Sequence, residues 1–91
     1  MTELMAPYPN PINPSTKVRF ALAERGHVDL NIFNVRGELV RELASETFDV
    51  GVHQITWGGR DEHERQVASG VYLVQMKSNG GVQSQRMVLV R

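Results

Sequence analysis

The densest set of reactive side chains in the chain is Asp61-Glu62-His63-Glu64. Carboxylates beside a histidine can bind a divalent metal or move protons. Either task needs side chains that converge on one point. Four consecutive residues in a turn point apart, so a solvated loop tip is expected. His53 falls in phase with Ile55 and Trp57, which marks it as a core or rim residue. No nucleophile pairs with it. His27 opens a strand and is expected to be exposed. Trp57, Tyr72 and Phe33 could together make an aromatic platform for a sugar. Trp57 shares its phase with buried-type residues and is expected to fill the core. Phe33 is out of phase with Val28, Leu30 and Ile32, which makes it the better exposed aromatic. The chain has no Gly-rich phosphate loop, nucleophile elbow or metal-histidine spacing. Asn13-Pro14-Ser15 is no glycosylation acceptor, because proline holds the middle position. The expectation is a module with no catalytic residue, no cofactor and no metal.

The elements that would position these groups are strands. All four prolines, Pro7, Pro9, Pro11 and Pro14, sit in one stretch. Proline fixes φ and extends the residue before it, so residues 6–14 read as an extended leading segment or linker. Period-two alternation begins after it. Residues 16–22 place Val18, Phe20 and Leu22 on one face, and residues 27–34 do the same with Val28, Leu30 and Ile32. Asn34-Val35-Arg36-Gly37 reads as a hairpin turn with Gly37 at positive φ. Residues 38–43 follow as a third strand anchored by Val40 and Leu43, with a weaker helical alternative over 39–45. Residues 44–50 read as an irregular crossover. Residues 52–57 resume the alternation, and 61–65 form a charged turn. Residues 66–68 suit a short strand. Residues 71–77 carry the strongest strand pattern, through Tyr72, Val74 and Met76. Asn79-Gly80 then turns the chain into a last strand, 82–90, with Met87 and Leu89 inward.

About seven short strands separated by turn signals predict an all-β protein, an immunoglobulin-like antiparallel β-sandwich, with a small barrel as the alternative. Residues 1–14 would be the leading segment and 15–91 the sandwich. At 91 residues the chain is one domain, and a domain of this size hides only about 60–65% of its unfolded surface. It has no cysteine, so disulfides and thiolate metal sites are excluded. Ten basic and ten acidic residues balance, and no basic stripe suggests nucleic acid or an anionic membrane. No apolar run approaches the ~20 residues of a membrane span. Met1-Thr2-Glu3-Leu4-Met5 lacks a signal-peptide pattern and reads as a start in front of a domain cut from a larger protein, any export signal lying upstream.

Four stretches and the ending together resemble a known family. They are Tyr8-Pro9-Asn10-Pro11-Ile12-Asn13-Pro14-Ser15-Thr16, Phe33-Asn34-Val35-Arg36-Gly37, Trp57-Gly58-Gly59-Arg60-Asp61, Val67-Ala68-Ser69-Gly70-Val71-Tyr72, and Arg86-Met87-Val88-Leu89-Val90-Arg91. The chain resembles the C-terminal sorting domain of type IX secretion cargo, and is similar to the immunoglobulin-like domain of the flagellar hook-capping protein. Three positions depart from that pattern: Ile12 stands for a usual Phe, Gly58 for Asp, and Glu64 for Gly. Glu64 must therefore adopt a left-handed backbone, or its turn must differ.

The resemblance implies a non-catalytic module at the C-terminus of a bacterial secreted protein, directing export and cell-surface attachment of a covalently linked upstream passenger. Its implied partners are the outer-membrane secretion machinery and cell-surface components, with no nucleic acid, and the module is expected to be a monomer. The positions it carries over as sorting or attachment candidates are Gly70, Tyr72, Arg86, Val88 and Arg91. A terminal strand at a sheet edge suits recognition by strand addition. The alternatives are a structural scaffold module and a carbohydrate-binding module of a glycoside-degrading enzyme.

Overall fold

Alternating apolar residues build two antiparallel sheets that face each other. The computed structural model describes residues 1–11 and 15–91. The expectations for Ile12 and Pro14 lie outside the described residues. Seven strands follow in order: β1 (Glu3–Leu4), β2 (Thr16–Leu22), β3 (Gly26–Asn34), β4 (Leu39–Phe48), β5 (Gly51–Trp57), β6 (Gly70–Ser78) and β7 (Gly81–Leu89). One sheet has the order β1-β2-β5 and the other β4-β3-β6-β7. This is the immunoglobulin-like sandwich that the period-two pattern predicts.

The predicted inward rows form the core. Val18, Phe20, Val28, Leu30, Ile32, Val74 and Met87 are fully buried, with Trp57, Met76 and Leu89 nearly so. Burying a side chain of this size stabilises the fold by roughly 1.5–3 kcal/mol. Gly37 has φ 81°, and Asn79 and Gly80 have φ 45° and 79°, as their hairpin turns require.

Three local expectations change. Residues 44–50 are no crossover: β4 runs on to Phe48, and only residues 49–50 separate it from β5. The pairing of β3 with β4 shifts between Leu30 and Asn31 and again between Ile32 and Phe33. Leu43 and Val40 are the extra residues at these bulges. Two bulges break the period of two and put Val40, Leu43 and Ala44 against the core. Their three- and four-residue spacing is also what gives this strand a helical look in sequence.

Residues 66–68 form no strand, only a bridge between Arg60 and Gln66. The seventh strand lies instead at the other end of the chain. Glu3 and Leu4 pair with Ala21 and Phe20, and Leu4 is buried in the core. From Tyr8 the chain stays bonded to β2: Tyr8 and Lys17 exchange backbone bonds of 3.2 and 2.8 Å.

Candidate functional site

Five residues singled out in sequence sit along β6, β7 and the short tail beyond. Gly70 opens β6 opposite Leu89, Tyr72 faces Met87, and Arg86 faces Leu73. Their side chains do different work. Tyr72 is buried, its ring 5.4 Å from that of Trp57 at 64°. Its hydroxyl donates to Ala68 O at 2.6 Å. Burial pushes the phenol pKa up, and the Arg91 charge offsets part of that shift. Arg91 binds back onto the loop that leads into β6. Its backbone N–H donates to Ser69 Oγ at 2.9 Å, Nε to Val67 O at 2.6 Å, and Nη2 to Gly59 O. Gly59 has φ 71°, and a Cβ there would stand 2.8 Å from Arg91 Nη2. The left-handed φ is what favours glycine at that point, and a Cβ would also push the Arg91 guanidinium aside.

Arg86 and Val88 are held at the backbone. Strand β7 is the edge of its sheet, and Asn10 covers part of that edge. Val88 N–H donates to Asn10 Oδ1 at 2.9 Å, and Asn10 Nδ2 donates to Arg86 O at 3.4 Å. One side-chain amide thus copies one peptide unit of a neighbouring strand. Sequence reasoning missed Asn10, because its role rests on a contact 78 residues away. Arg86 and Val88 project their side chains from the outer face of the sheet, on the side away from Met87 and Leu89.

The acidic cluster is a folded turn. Asp61 Oδ1 accepts from His63 N at 2.8 Å and Arg65 N at 3.0 Å, and its Oδ2 lies 3.3 Å from Arg65 Nε. The backbone bond from Arg65, with desolvation opposing, heads the set that holds the Asp61 pKa below its ordinary value. Arg41 Nη1 ties in from β4, donating to Asp61 O at 2.7 Å and to Glu64 Oε1 at 2.5 Å. Glu62 turns to β4, its N–H donating to Val40 O and its carboxylate accepting from Glu42 N. Glu64 has φ 62°, the left-handed conformation its place in the turn demands. No group of three or more His, Asp or Glu side chains suited to a metal occurs among the described residues.

A second polar cluster was not legible in sequence. Ser45, His27 and Asp29 meet on the outer face of the four-stranded sheet, because β3 and β4 pair His27 with Thr47 and Asp29 with Ser45. Ser45 Oγ donates to Asp29 Oδ1 at 2.6 Å, and His27 Nε2 lies 3.0 Å from that same oxygen and 3.3 Å from Ser45 Oγ. The Ser45 and His27 bonds hold the Asp29 pKa low. A nucleophilic relay needs the acid and the hydroxyl on opposite nitrogens of the imidazole. Here both meet Nε2, and the hydroxyl bonds the carboxylate directly, so serine is not activated.

The aromatic residues do not form a common platform. Trp57 is 2% exposed, with Nε1 donating to Arg60 O at 3.0 Å. Phe33 lies half-buried on the opposite face of the other sheet. His53 packs at the rim, its ring centroid 4.9 Å from Phe48 and 5.4 Å from Phe20, with Nε2 2.7 Å from Asp49 O.

A family model described as the FlgD Ig-like domain matches residues 13–81, most of the sandwich. The chain belongs to the FlgD Ig-like domain family. No curated protein sequence matches it. Among solved structures, dimeric latent PorU from Porphyromonas gingivalis is similar with TM-score 0.78 and 20% identity, over 99% of this chain and 9% of that one. PorZ, a surface component of the type-IX secretion system of P. gingivalis, aligns with TM-score 0.65 and 21% identity, over 99% of this chain and 11% of that one. The alkylpurine DNA glycosylase AlkC of Pseudomonas fluorescens aligns with TM-score 0.61 and 18% identity, over 99% of this chain and 30% of that one. At these identities the likeness is one of fold. This FlgD Ig-like domain spans less than a third of each of those chains.

Proposed function

We propose that this FlgD Ig-like domain is a non-catalytic C-terminal sorting module, directing type IX secretion and surface attachment of a passenger joined upstream of it. The observation that carries the reading is the anchoring of the closing strand. Arg91 grips the Gly59 and Val67 carbonyls, Asn10 holds the edge at Arg86 and Val88, and Tyr72 packs beneath on β6. The five candidate positions thus lie on two adjacent strands and the tail beyond, on a rigid support. The fold shared with PorU and PorZ supports the same direction, and with it a secreted or cell-surface location. The proposed partners are the outer-membrane secretion machinery and cell-surface components. In this reading residues 1–14 lead in from the passenger, with Glu3 and Leu4 already paired to β2 as part of the sandwich.

The test is surface display of a reporter fused upstream of the chain in a bacterium with type IX secretion. Deleting residues 86–91 would remove Met87 and Leu89 from the core, so point variants are the cleaner probe. Arg91→Ala and Arg86→Ala should each lower display while the purified domain still melts cooperatively. Unchanged display of an Arg86→Ala, Val88→Ser, Arg91→Ala triple variant would falsify the assignment.

A structural scaffold is the second reading, favoured by the family match itself. It predicts normal display of that triple variant. The carbohydrate-binding reading loses its aromatic platform, since Trp57 and Tyr72 are buried.

A further inference from the structure

An open sheet edge is a row of unpaired N–H and C=O groups, and three of the four edges here are covered in part by residues from elsewhere in the chain. On β1, Leu4 N–H donates to Gln83 Oε1 at 2.7 Å, and Gln85 Nε2 donates to Leu4 O at 3.0 Å. On β4, Glu62 meets Val40 O and Glu42 N. On β7, Asn10 meets Arg86 and Val88. Only β5 lacks such a cover among the described residues.

Ladder alternation shows which groups β5 turns outward. Lys17 bonds Tyr8, and Arg19 O accepts from Met5 N, so the odd residues of β2 face β1 and its leading segment. The even residues therefore face β5, where their partners are Trp57, Ile55, His53 and Gly51. Val52, Gln54 and Thr56 are left with N–H and C=O toward solvent. Their side chains are exposed as well. The usual protections of an edge are missing here. The sequence of β5, Gly51-Val52-His53-Gln54-Ile55-Thr56-Trp57, has no Lys, Arg, Asp, Glu or Pro. Its register with β2 is unbroken over all seven pairs, whereas β4 is bulged twice and carries Arg41, Glu42 and Glu46.

We propose that β5 pairs antiparallel with β5 of a second copy of this chain, across a two-fold axis at Gln54. The register is self-complementary. Val52 faces the second copy's Thr56, Gln54 faces its counterpart, and all outward groups of the three residues find partners. On the inner side Ile55 meets the second copy's His53, and both are only half-buried in the single chain. No like charges face each other along the seam. A second copy is the occupant because its own β5 is equally neutral and free of Pro, so it meets this edge with no unpaired charge and no missing donor. An edge contact is small, so the dimer is weak and concentration-dependent. This departs from the monomer expected from the sequence.

Sedimentation of the 91-residue chain from about 10 μM to about 1 mM reads the association directly. The sedimentation coefficient should rise with concentration. Gln54→Lys places two cations across the axis and should weaken association by about tenfold or more. An equal mixture of Gln54→Lys and Gln54→Glu should restore it. In the unaltered chain, the amides of Val52, Gln54 and Thr56 should exchange hydrogen more slowly at high concentration. That readout stands even if a variant fails to fold. A single monomeric boundary across the whole range, a dimer indifferent to Gln54→Lys, or concentration-independent exchange at these three amides would each overturn the proposal.

Discussion

Three connections carry the chain from one sheet to the other, and the two that flank β5 are built in opposite ways. The one after β4 is two residues long, and the one after β5 covers residues 58–69. The short corner has little of its own. Arg25 meets Asp49 at 2.7 Å, both largely exposed, and His53 reaches Asp49 O. Val50 is 62% exposed. The long connection is held by Trp57, Arg60, Asp61, Tyr72 and Arg91, nearly all bonding to backbone carbonyls or amides. Short loops are fixed by the strands they join. A long one must satisfy its own peptide groups or stay loose, and this one satisfies them with side chains from four elements.

The contrast breaks most severely at Trp57. Trp57→Ala should cost about 3–5 kcal/mol, since it empties the core under the long connection and frees the Arg60 carbonyl. Val50→Ser in the short corner should stay within about 0.5 kcal/mol. Urea unfolding of the two variants measures the difference, and comparable losses would end the distinction. Tyr72→Phe isolates one bond, leaving the Ala68 carbonyl without its hydroxyl, and should cost about 1–2 kcal/mol.

Acid sharpens the comparison. The folded Asp61 pKa is depressed, so its contribution is complete above the unfolded value of about 3.9 and lost as pH falls through the folded value. Asp29 is depressed as well and titrates in the same window. Thermal melts from pH 6 to pH 2 should therefore decline below about pH 4. Asp61→Asn should flatten part of that decline, and the Asp29 share should remain. A small effect is expected at Glu64. Glu64→Gly relieves a left-handed backbone worth about 1 kcal/mol. It also removes a solvent-exposed ion pair with Arg41 worth about 0.2–1 kcal/mol. A net gain near 0.5 kcal/mol should appear as a slightly higher urea midpoint.

Sequence made most of the sandwich legible because its two faces differ: buried residues alternate with more exposed ones along β2, β3 and β6. It failed on β4 because two bulges shift the phase, and a phase shift has no composition signal. It also missed β1, since two residues are too few to show a period. The turns at Gly37 and Asn79-Gly80 were legible from backbone requirements alone, whereas the left-handed Glu64 was one of two outcomes that the family resemblance implied. Among the candidate positions, Tyr72 and Arg91 were named through the family resemblance. Their bonds to Ala68 and Gly59 depend on how the long connection folds. Asn10 and the Ser45-His27-Asp29 cluster depend on pairing between distant strands, which no single-sequence pattern encodes.

Gln83 and Gln85 also fix how the domain responds to being pulled. Gln83 donates to Thr2 O and accepts from Leu4 N, and Gln85 donates to Leu4 O. Tension applied at Met1 therefore loads these amides together with the two-residue pairing of β1 to β2, ahead of any long ladder. This seam yields first and gives slack. The seven-pair ladder of β2 with β5 and the nine-pair ladder of β6 with β7 remain closed behind it. A domain tethered at that end thus carries a mechanical fuse, and stretching it by the N-terminus should show a small early extension before the main rupture.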